Sequence, residues 1–123
     1  MGQKDVPVRL LLVEDDAVSS CILARSLRRR GFEIVSTTNA ADAISILEKG
    51  RDIALVFSDV VMPGEMDGST LQNWIRVNRP GLPVILGSAN PEKAQPSGPQ
   101  EFRFFAKPYN IDAVAACIRS LIQ

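Results

Sequence analysis

Carboxylate, hydroxyl and amine side chains stand directly after four separate apolar runs of this sequence. In chain order they are Glu14, Asp15, Asp16, Asp59, Ser88 and Lys107. Each position alone is weak evidence for a site, because acidic residues after a strand are more often helix caps or solvated loop residues. Their joint occurrence after four different runs favours one shared site.

The residue types in this set predict phosphoryl transfer. Clustered carboxylates repel one another unless a cation lies between them, and Mg²⁺ suits a site with few carboxylates, several waters and a phosphate ligand. Lys107 offers a compact cation to a phosphoryl oxygen, and Ser88 offers a hydroxyl donor. An aspartate nucleophile would form an acyl phosphate, which is a known covalent strategy in catalysis. Positioning and charge neutralisation supply nearly all of the catalysis in reactions of this kind.

The apolar runs that precede these residues alternate with segments of helical periodicity, as α/β proteins require. Strands are predicted at 8–13, 32–36, 53–57, 82–86 and 102–106, and helices at 17–30, 40–49, 69–78 and after Asn110. Val18 and Ile22 are assigned to the apolar face of the first helix, and Asn39 and Asn110 are predicted helix caps. Such alternation predicts a doubly wound parallel sheet with helices on both faces. Its functional residues lie beyond the carboxyl ends of the strands, where the six side chains stand.

Composition limits the other possibilities. A chain of 123 residues with 46% hydrophobic and 23% charged residues predicts one globular domain over residues 1–123. Fourteen basic and fourteen acidic residues cancel, so attraction to nucleic acid or to a membrane is not expected of the whole chain. Cys21 and Cys117 are too few for a disulfide framework; buried reduced thiols are favoured over a bridge, and a cytoplasmic location is expected.

Taken together, the motifs resemble those of response-regulator receiver domains of two-component signalling systems, over about residues 8–123. They are Val13-Glu14-Asp15-Asp16, Asp59-Val60-Val61-Met62-Pro63-Gly64, Asp67-Gly68, Ser88-Ala89 and Lys107-Pro108. The resemblance implies a five-stranded (βα)₅ flavodoxin-like fold with strand order 2-1-3-4-5. It also implies that Asp59 accepts a phosphoryl group from a histidine kinase or a histidine phosphotransfer protein. By the same resemblance, Mg²⁺ is held by Glu14, Asp15, Asp59 and the Val61 carbonyl, Ser88 is the switch hydroxyl, and Lys107 contacts the phosphoryl group.

Three features depart from the common pattern of the family. The loop after Asp59 is one residue longer, and Phe104 stands where many members carry a switch tyrosine. Prolines between positions 90 and 100 predict a short or irregular fourth helix. By family analogy, Val61 and Asn90 flank the path of the water that hydrolyses the acyl phosphate, and only Asn90 can orient water by a hydrogen bond.

Several alternatives remain open from the sequence. A phosphohydrolase that uses aspartate on a similar fold would need a second Asp two residues after the nucleophile, where Val61 stands. A receiver-like domain that only binds partners would have lost Asp15, Asp59 or Lys107, and all three are present. The chain ends at Gln123, directly after the last predicted helix; if this is the whole protein, it is expected to be a single-domain regulator that acts through protein contact. A receiver cut from a hybrid histidine kinase fits the sequence equally.

An arginine run and the tryptophan of the sequence each allow a structural interpretation beside one as a contact surface. The run Arg28-Arg29-Arg30 is read as a solvated helix end rather than as a nucleic-acid contact. Trp74 is read as part of the core at least as readily as an interface residue.

Overall fold

A computed structural model describes residues 8–50, 52–59, 68–88 and 102–122. Strands and helices alternate along the chain until the fourth strand. The strands are β1 (Arg9–Val13), β2 (Glu33–Thr37), β3 (Leu55–Asp59), β4 (Val84–Ser88) and β5 (Phe102–Ala106). The helices of the described residues are α1 (Ala17–Arg29), α2 (Ala40–Glu48), α3 (Gly68–Asn78) and α4 (Ile111–Ile122).

The five strands form one parallel sheet in the order β2-β1-β3-β4-β5, which confirms the predicted flavodoxin-like topology. The order reverses direction between β1 and β3, and this is the position at which α/β proteins place their ligands. Val13 pairs with Ser58 there, so the residues that follow β1 lie beside Asp59 at the end of β3. The topology therefore brings the carboxylates that follow β1 and the carboxylate at the end of β3 to one edge of the sheet.

Two apolar clusters cover the two faces of this sheet. One joins α1 and α4 to the even residues of β1 and to Leu55, Phe57 and Ile85. The other joins α2 and α3 to Leu11, Val13, Val56, Val84 and Leu86. Trp74 packs partly buried against the second cluster, which fits the core interpretation of the two that the sequence left open. Successive side chains of a strand point to opposite faces, which explains this division.

Helix ends follow the predicted caps. Asn39 Oδ1 accepts the backbone N–H of Asp42 at 2.7 Å, and Asn110 Oδ1 accepts that of Ala113 at 3.1 Å. Gly31 follows the end of α1 with a φ of 95°, a conformation that costs a glycine little. Arg28 donates to the Ile34 carbonyl and Arg30 pairs with Asp112, so the arginine run holds the end of α1 against neighbouring elements.

The prediction that Val18 and Ile22 lie on the apolar face of α1 is wrong. Val18 and Ile22 are 66% and 60% exposed, although both were assigned to the apolar face of that helix. Cys21 is exposed too, and only Cys117 is partly buried, so the expected buried thiol is not found at the first position. The core contacts of α1 are made by Leu23, Ala24 and Leu27 instead. Cys21 and Cys117, which both lie in the described part of the chain, do not form a disulfide, as expected.

Two strands begin two residues later than predicted. β3 covers Leu55–Asp59 rather than 53–57, and β4 covers Val84–Ser88 rather than 82–86. Ile53 and Leu82 belong to the second apolar cluster without belonging to a strand. The shift places Asp59 and Ser88 at the last position of their strands rather than in the following loops. The irregular fourth helix predicted between positions 90 and 100 lies outside the described residues.

Candidate functional site

The end of β1 delivers two carboxylates to the edge of the sheet. The Glu14 backbone N–H donates to the Thr37 carbonyl at 3.0 Å, which continues the pairing of β1 and β2 for one residue. Its side chain turns inward and is 3% exposed, whereas Asp15 is exposed. The two neighbours therefore present one buried and one solvated carboxylate to the same place.

The third acid of the motif, Asp16, has a different task. It is the N-cap of α1, and its carboxylate accepts the Ser19 backbone N–H at 3.2 Å and the Ser19 hydroxyl. These hydrogen bonds from Ser19 lower the pKa of Asp16. Asp16 thus serves the start of α1, and the carboxylate cluster found among the described residues consists of Glu14, Asp15 and Asp59.

Asp59 and Lys107 meet at the centre of the site. Lys107 Nζ lies 2.9 Å from Asp59 Oδ2 and 3.1 Å from Glu14 Oε1, so one ammonium bridges two carboxylates. Asp59 is 7% exposed, and the Lys107 side chain reaches it from the loop between β5 and α4. Three strand ends that are far apart in the sequence thus contribute to one charged cluster.

Burial and charge act in opposite directions within the cluster. Burial raises the pKa of Glu14, and the hydrogen bond from Lys107 only partly offsets this effect. Burial also disfavours the ammonium of Lys107, but the hydrogen bonds to Asp59 and Glu14 outweigh it and raise the pKa of Lys107. The protonated form of Lys107 is therefore stabilised, whereas burial makes the ionised form of Glu14 less favourable.

The carboxylates fit a divalent cation. Glu14, Asp15 and Asp59 each offer an oxygen, and these oxygens all lie within 4.8 Å of one another. Three negative charges against one lysine leave the cluster with excess negative charge, which a hard cation with oxygen ligands would neutralise. The three acids that the resemblance assigns to Mg²⁺ are thus brought together. Lys107, also named from the sequence, pairs with two of them.

Other residues named from the sequence are described in part or not at all. Ser88 ends β4, opposite Ala106 of β5, but its side chain lies outside the described residues, as does that of Phe104. Val61 and Asn90 lie outside the described residues altogether. Their expected roles therefore remain predictions.

Sequence reasoning missed Tyr109 and Gly87. Tyr109 packs edge-on against Phe57, with ring centroids 5.1 Å apart and an interplanar angle of 79°. Its hydroxyl is buried, and no hydrogen-bond partner for it is found among the described residues. Burial first, and then the charges of Asp59 and Glu14, raise the pKa of Tyr109. An aromatic residue two positions after Lys107 was the available signal, but the sequence does not indicate which strand it would contact.

Comparison with known proteins agrees with this geometry. The sequence model of the response regulator receiver domain family matches residues 10–119. The sensor kinase CckA of Brucella abortus is 31% identical over 93% of this chain, and the transcriptional regulatory protein GlrR of Escherichia coli is 32% identical over 95% of it. This chain spans 12% and 27% of the length of those two relatives.

Solved structures lead to the same family. The receiver domain of the hybrid histidine kinase CckA superposes with a TM-score of 0.79 at 32% identity, covering 94% of this chain and 99% of that one. The response regulator TrrA of Thermotoga maritima, solved with Mg²⁺ and beryllium fluoride, gives a TM-score of 0.84 at 24% identity over 93% of this chain and 98% of that one. At that identity the second likeness concerns the fold alone.

The chain belongs to the response regulator receiver domain family. Receiver domains are signalling modules of two-component systems rather than classical enzymes, and they interact with histidine kinases or phosphotransfer proteins. The acidic cluster at the ends of β1 and β3 fits a phosphoaspartate site. None of the helices in the described part of the chain is long and apolar enough to cross a bilayer.

Proposed function

We propose that this receiver acts as a phosphoryl-accepting switch in which Asp59 is the acceptor, over a single domain of residues 1–123. The observation that carries the proposal is the contact of Lys107 Nζ with Asp59 Oδ2 at 2.9 Å, inside a cluster of three carboxylates. Asp59 stands at the end of the central strand β3, where the donor can approach from beyond the sheet edge.

In the proposed reaction a carboxylate oxygen of Asp59 attacks the phosphorus of the donor. A new P–O bond forms, and the bond from phosphorus to the leaving group breaks; the leaving group is a histidine nitrogen in a kinase or phosphotransfer protein, or acetate in acetyl phosphate. The leaving group keeps the electron pair, and Asp59 becomes an acyl phosphate. Self-catalysed phosphorylation and later hydrolysis are the only chemistry proposed for the chain.

Lys107 and the acids have distinct tasks in this proposal. The ammonium of Lys107 is already beside Asp59, so it can neutralise charge on the phosphoryl oxygens without reorganisation. Glu14, Asp15 and Asp59, with the Val61 carbonyl, would hold Mg²⁺, which supplies further charge neutralisation for the transferred group. Ser88 would donate its hydroxyl to the phosphoryl group, and Asn90 would orient the water that ends the signal.

The partners follow from the class of module. We propose that a histidine kinase or a histidine phosphotransfer protein phosphorylates Asp59, and that a protein effector reads the phosphorylated form. The 31% identity to a sensor kinase and the 32% identity to the CckA receiver also support a receiver carried by a hybrid kinase. No direct contact with nucleic acid or membrane is proposed, because the basic and acidic residues balance.

Phosphorylation by acetyl phosphate tests the assignment of Asp59. Intact-mass measurement after incubation with acetyl phosphate and Mg²⁺ should show one added phosphoryl group on the wild-type chain. Asp59→Asn should show none, because the amide is not a nucleophile for this reaction. Asp52→Asn, which changes an exposed aspartate outside the cluster, should be phosphorylated like the wild type. Equal incorporation into Asp59→Asn would refute the assignment.

A further inference from the structure

The Tyr109 ring occupies the space beside Asp59 that a side chain at position 87 would need. Leu55 and Phe57 pack on the α1 and α4 face of the sheet, so Asp59 has the same orientation along β3. Ile85 packs on that face too, so a side chain at Gly87 would point there, and Gly87 pairs directly with Asp59 across the two strands. The missing side chain of Gly87 therefore leaves a gap next to the carboxylate of Asp59, which we call the Gly87 notch.

The Tyr109 ring fills this notch. A Cβ atom added to Gly87 would lie 2.7 Å from Cζ and 2.9 Å from Cε1 of Tyr109, and closer still to its hydroxyl oxygen. Real carbon atoms do not approach so closely, hence the strand accepts the ring only because residue 87 is glycine. The same ring packs in a T-shaped arrangement with the ring of Phe57, which is 2% exposed.

Tyr109 is two residues from Lys107, in the loop between β5 and α4. This loop must place the flexible four-carbon stem of Lys107 so that its ammonium meets Asp59 and Glu14. The Tyr109 hydroxyl makes no hydrogen bond within the part of the chain that the structure describes, so its burial is not explained by a polar contact. The packing of the ring between Phe57 and the notch explains it instead.

We infer that the Gly87 notch and the Tyr109 ring together form a positioning device that fixes the Lys107 loop and so holds the ammonium against Asp59. The inference rests on the proposed function, since it assigns to Tyr109 and Gly87 a task in phosphorylation of Asp59. Tyr109 is a positioning residue: it acts on the reaction through Lys107 and not by contact with the phosphoryl group.

Substitution of Gly87 by alanine tests the device. The Cβ atom should expel the ring, displace Lys107 and slow phosphorylation by acetyl phosphate on the order of 10- to 100-fold, as small displacements of catalytic groups do. The variant Gly87→Ala/Tyr109→Phe removes the atom that clashes most and should recover part of the lost rate. Ile75→Val serves as control, because it removes a buried methylene from the opposite face and should keep the wild-type rate.

A double-mutant comparison identifies the route of the effect. If the notch acts through Lys107, Gly87→Ala should slow the residual reaction of Lys107→Ala far less than it slows the wild type. An equal slowing in both backgrounds would overturn the inference, as would a wild-type rate for Gly87→Ala.

Proton contacts between the Tyr109 and Phe57 rings, followed by NMR in the unphosphorylated protein, test the packing without any chemistry. Gly87→Ala should abolish them, and their persistence would overturn the inference. If the wild type took up no phosphoryl group on Asp59, the proposed function would fail, whereas this NMR comparison would still decide whether the notch holds the ring.

Discussion

At the scale of single residues, Glu14 is the most constrained member of the site. It is almost fully buried, accepts hydrogen bonds from Lys107 Nζ and from the Asp16 backbone N–H, and lies near the charge of Asp59. A buried carboxylate beside another carboxylate is costly to ionise, and one shared lysine offsets this cost only in part. The site therefore stores an electrostatic cost that a bound cation would relieve.

Replacement of Glu14 by glutamine should stabilise the protein at neutral pH when Mg²⁺ is chelated. Burial raises the pKa of Glu14 above its ordinary value of 4.5, so the folded state binds this proton more tightly than the unfolded state. The contribution of Glu14 to stability is thus complete below pH 4.5 and is lost as pH rises through the folded pKa. Thermal denaturation of wild type and Glu14→Gln should give similar midpoints at acid pH and a gap of a few degrees at neutral pH.

Glu48→Gln is the matched control, because Glu48 is exposed at the end of α2 and lies outside the cluster. It should show no such widening gap. A neutral-pH midpoint of Glu14→Gln below that of the wild type would mean that the contacts of Glu14 with Lys107 and Asp16 outweigh its burial.

Sequence reasoning identified the charged residues of the site but not the packing that holds them. Glu14, Asp59 and Lys107 could be named because chemistry of one kind recurs at strand ends, and parallel strands share one edge. The aromatic residue at position 109 was visible, but not the strand that it contacts, and Gly87 could not be named, because a glycine carries no chemical signal. Its importance depends on which ring lies against it, and only the three-dimensional contact shows this.

At the scale of elements, the start of α1 divides three consecutive acids between two tasks. Asp16 caps the helix through Ser19, and Asp15 belongs to the carboxylate cluster. The lowered pKa of Asp16 means that its contribution to stability is present above its unfolded value of 3.8 and is lost as pH falls through the folded pKa. The roles of the adjacent residues Asp15 and Asp16 can therefore be distinguished by experiment, although both are aspartates.

Asp15→Ala and Asp16→Ala should give opposite patterns. Asp16→Ala should lower the thermal midpoint by a few degrees, because α1 loses its cap, and should leave Mg²⁺ affinity largely unchanged. Asp15→Ala should weaken Mg²⁺ binding about ten-fold or more while the midpoint is kept, as expected when a ligand is lost. Calorimetric titration with Mg²⁺ and thermal denaturation of both variants supply the measurement. Equal Mg²⁺ affinities of Asp15→Ala and the wild type would contradict the ligand assignment.

The element boundaries show where sequence patterns lose precision. The apolar run at 53–57 predicted the existence of β3, but pairing of Leu10 with Leu55 starts the strand two residues later. Ile53 is partly buried against the second apolar cluster although it is not a strand residue. The helical period of α1 likewise could not distinguish Ile22, which is exposed, from Leu23, which is buried.

At the scale of the whole molecule, the sheet separates two cores that stabilise the same fold. Ile118 belongs to the core beneath α1 and α4, and Ile75 to the core beneath α2 and α3. The site stands at the edge of the sheet between them. A receiver of this size should unfold as one unit, so a loss of packing on either face weakens the whole molecule.

Ile75→Val and Ile118→Val should each lower the free energy of unfolding by about 0.5–1.5 kcal/mol, because each removes one buried methylene. The double variant should show the sum to within about 0.5 kcal/mol in a single transition, since the residues lie on opposite faces. Val77→Ala, at a side chain that is 77% exposed, should change the free energy little. Urea denaturation followed by circular dichroism provides the values, and two separate transitions would contradict the single unit.

The ion pairs of Lys107 join positions that are far apart along the chain. Lys107 is separated from Asp59 by 48 positions and from Glu14 by 93. A chain synthesised only as far as α3 already carries both carboxylates, yet it lacks the ammonium and the last two strands. Under the proposed function, a nascent or partly unfolded chain should accept the phosphoryl group far more slowly than the folded protein, because Lys107 is not yet beside Asp59. The pool of phosphorylated molecules should therefore come almost entirely from correctly folded protein.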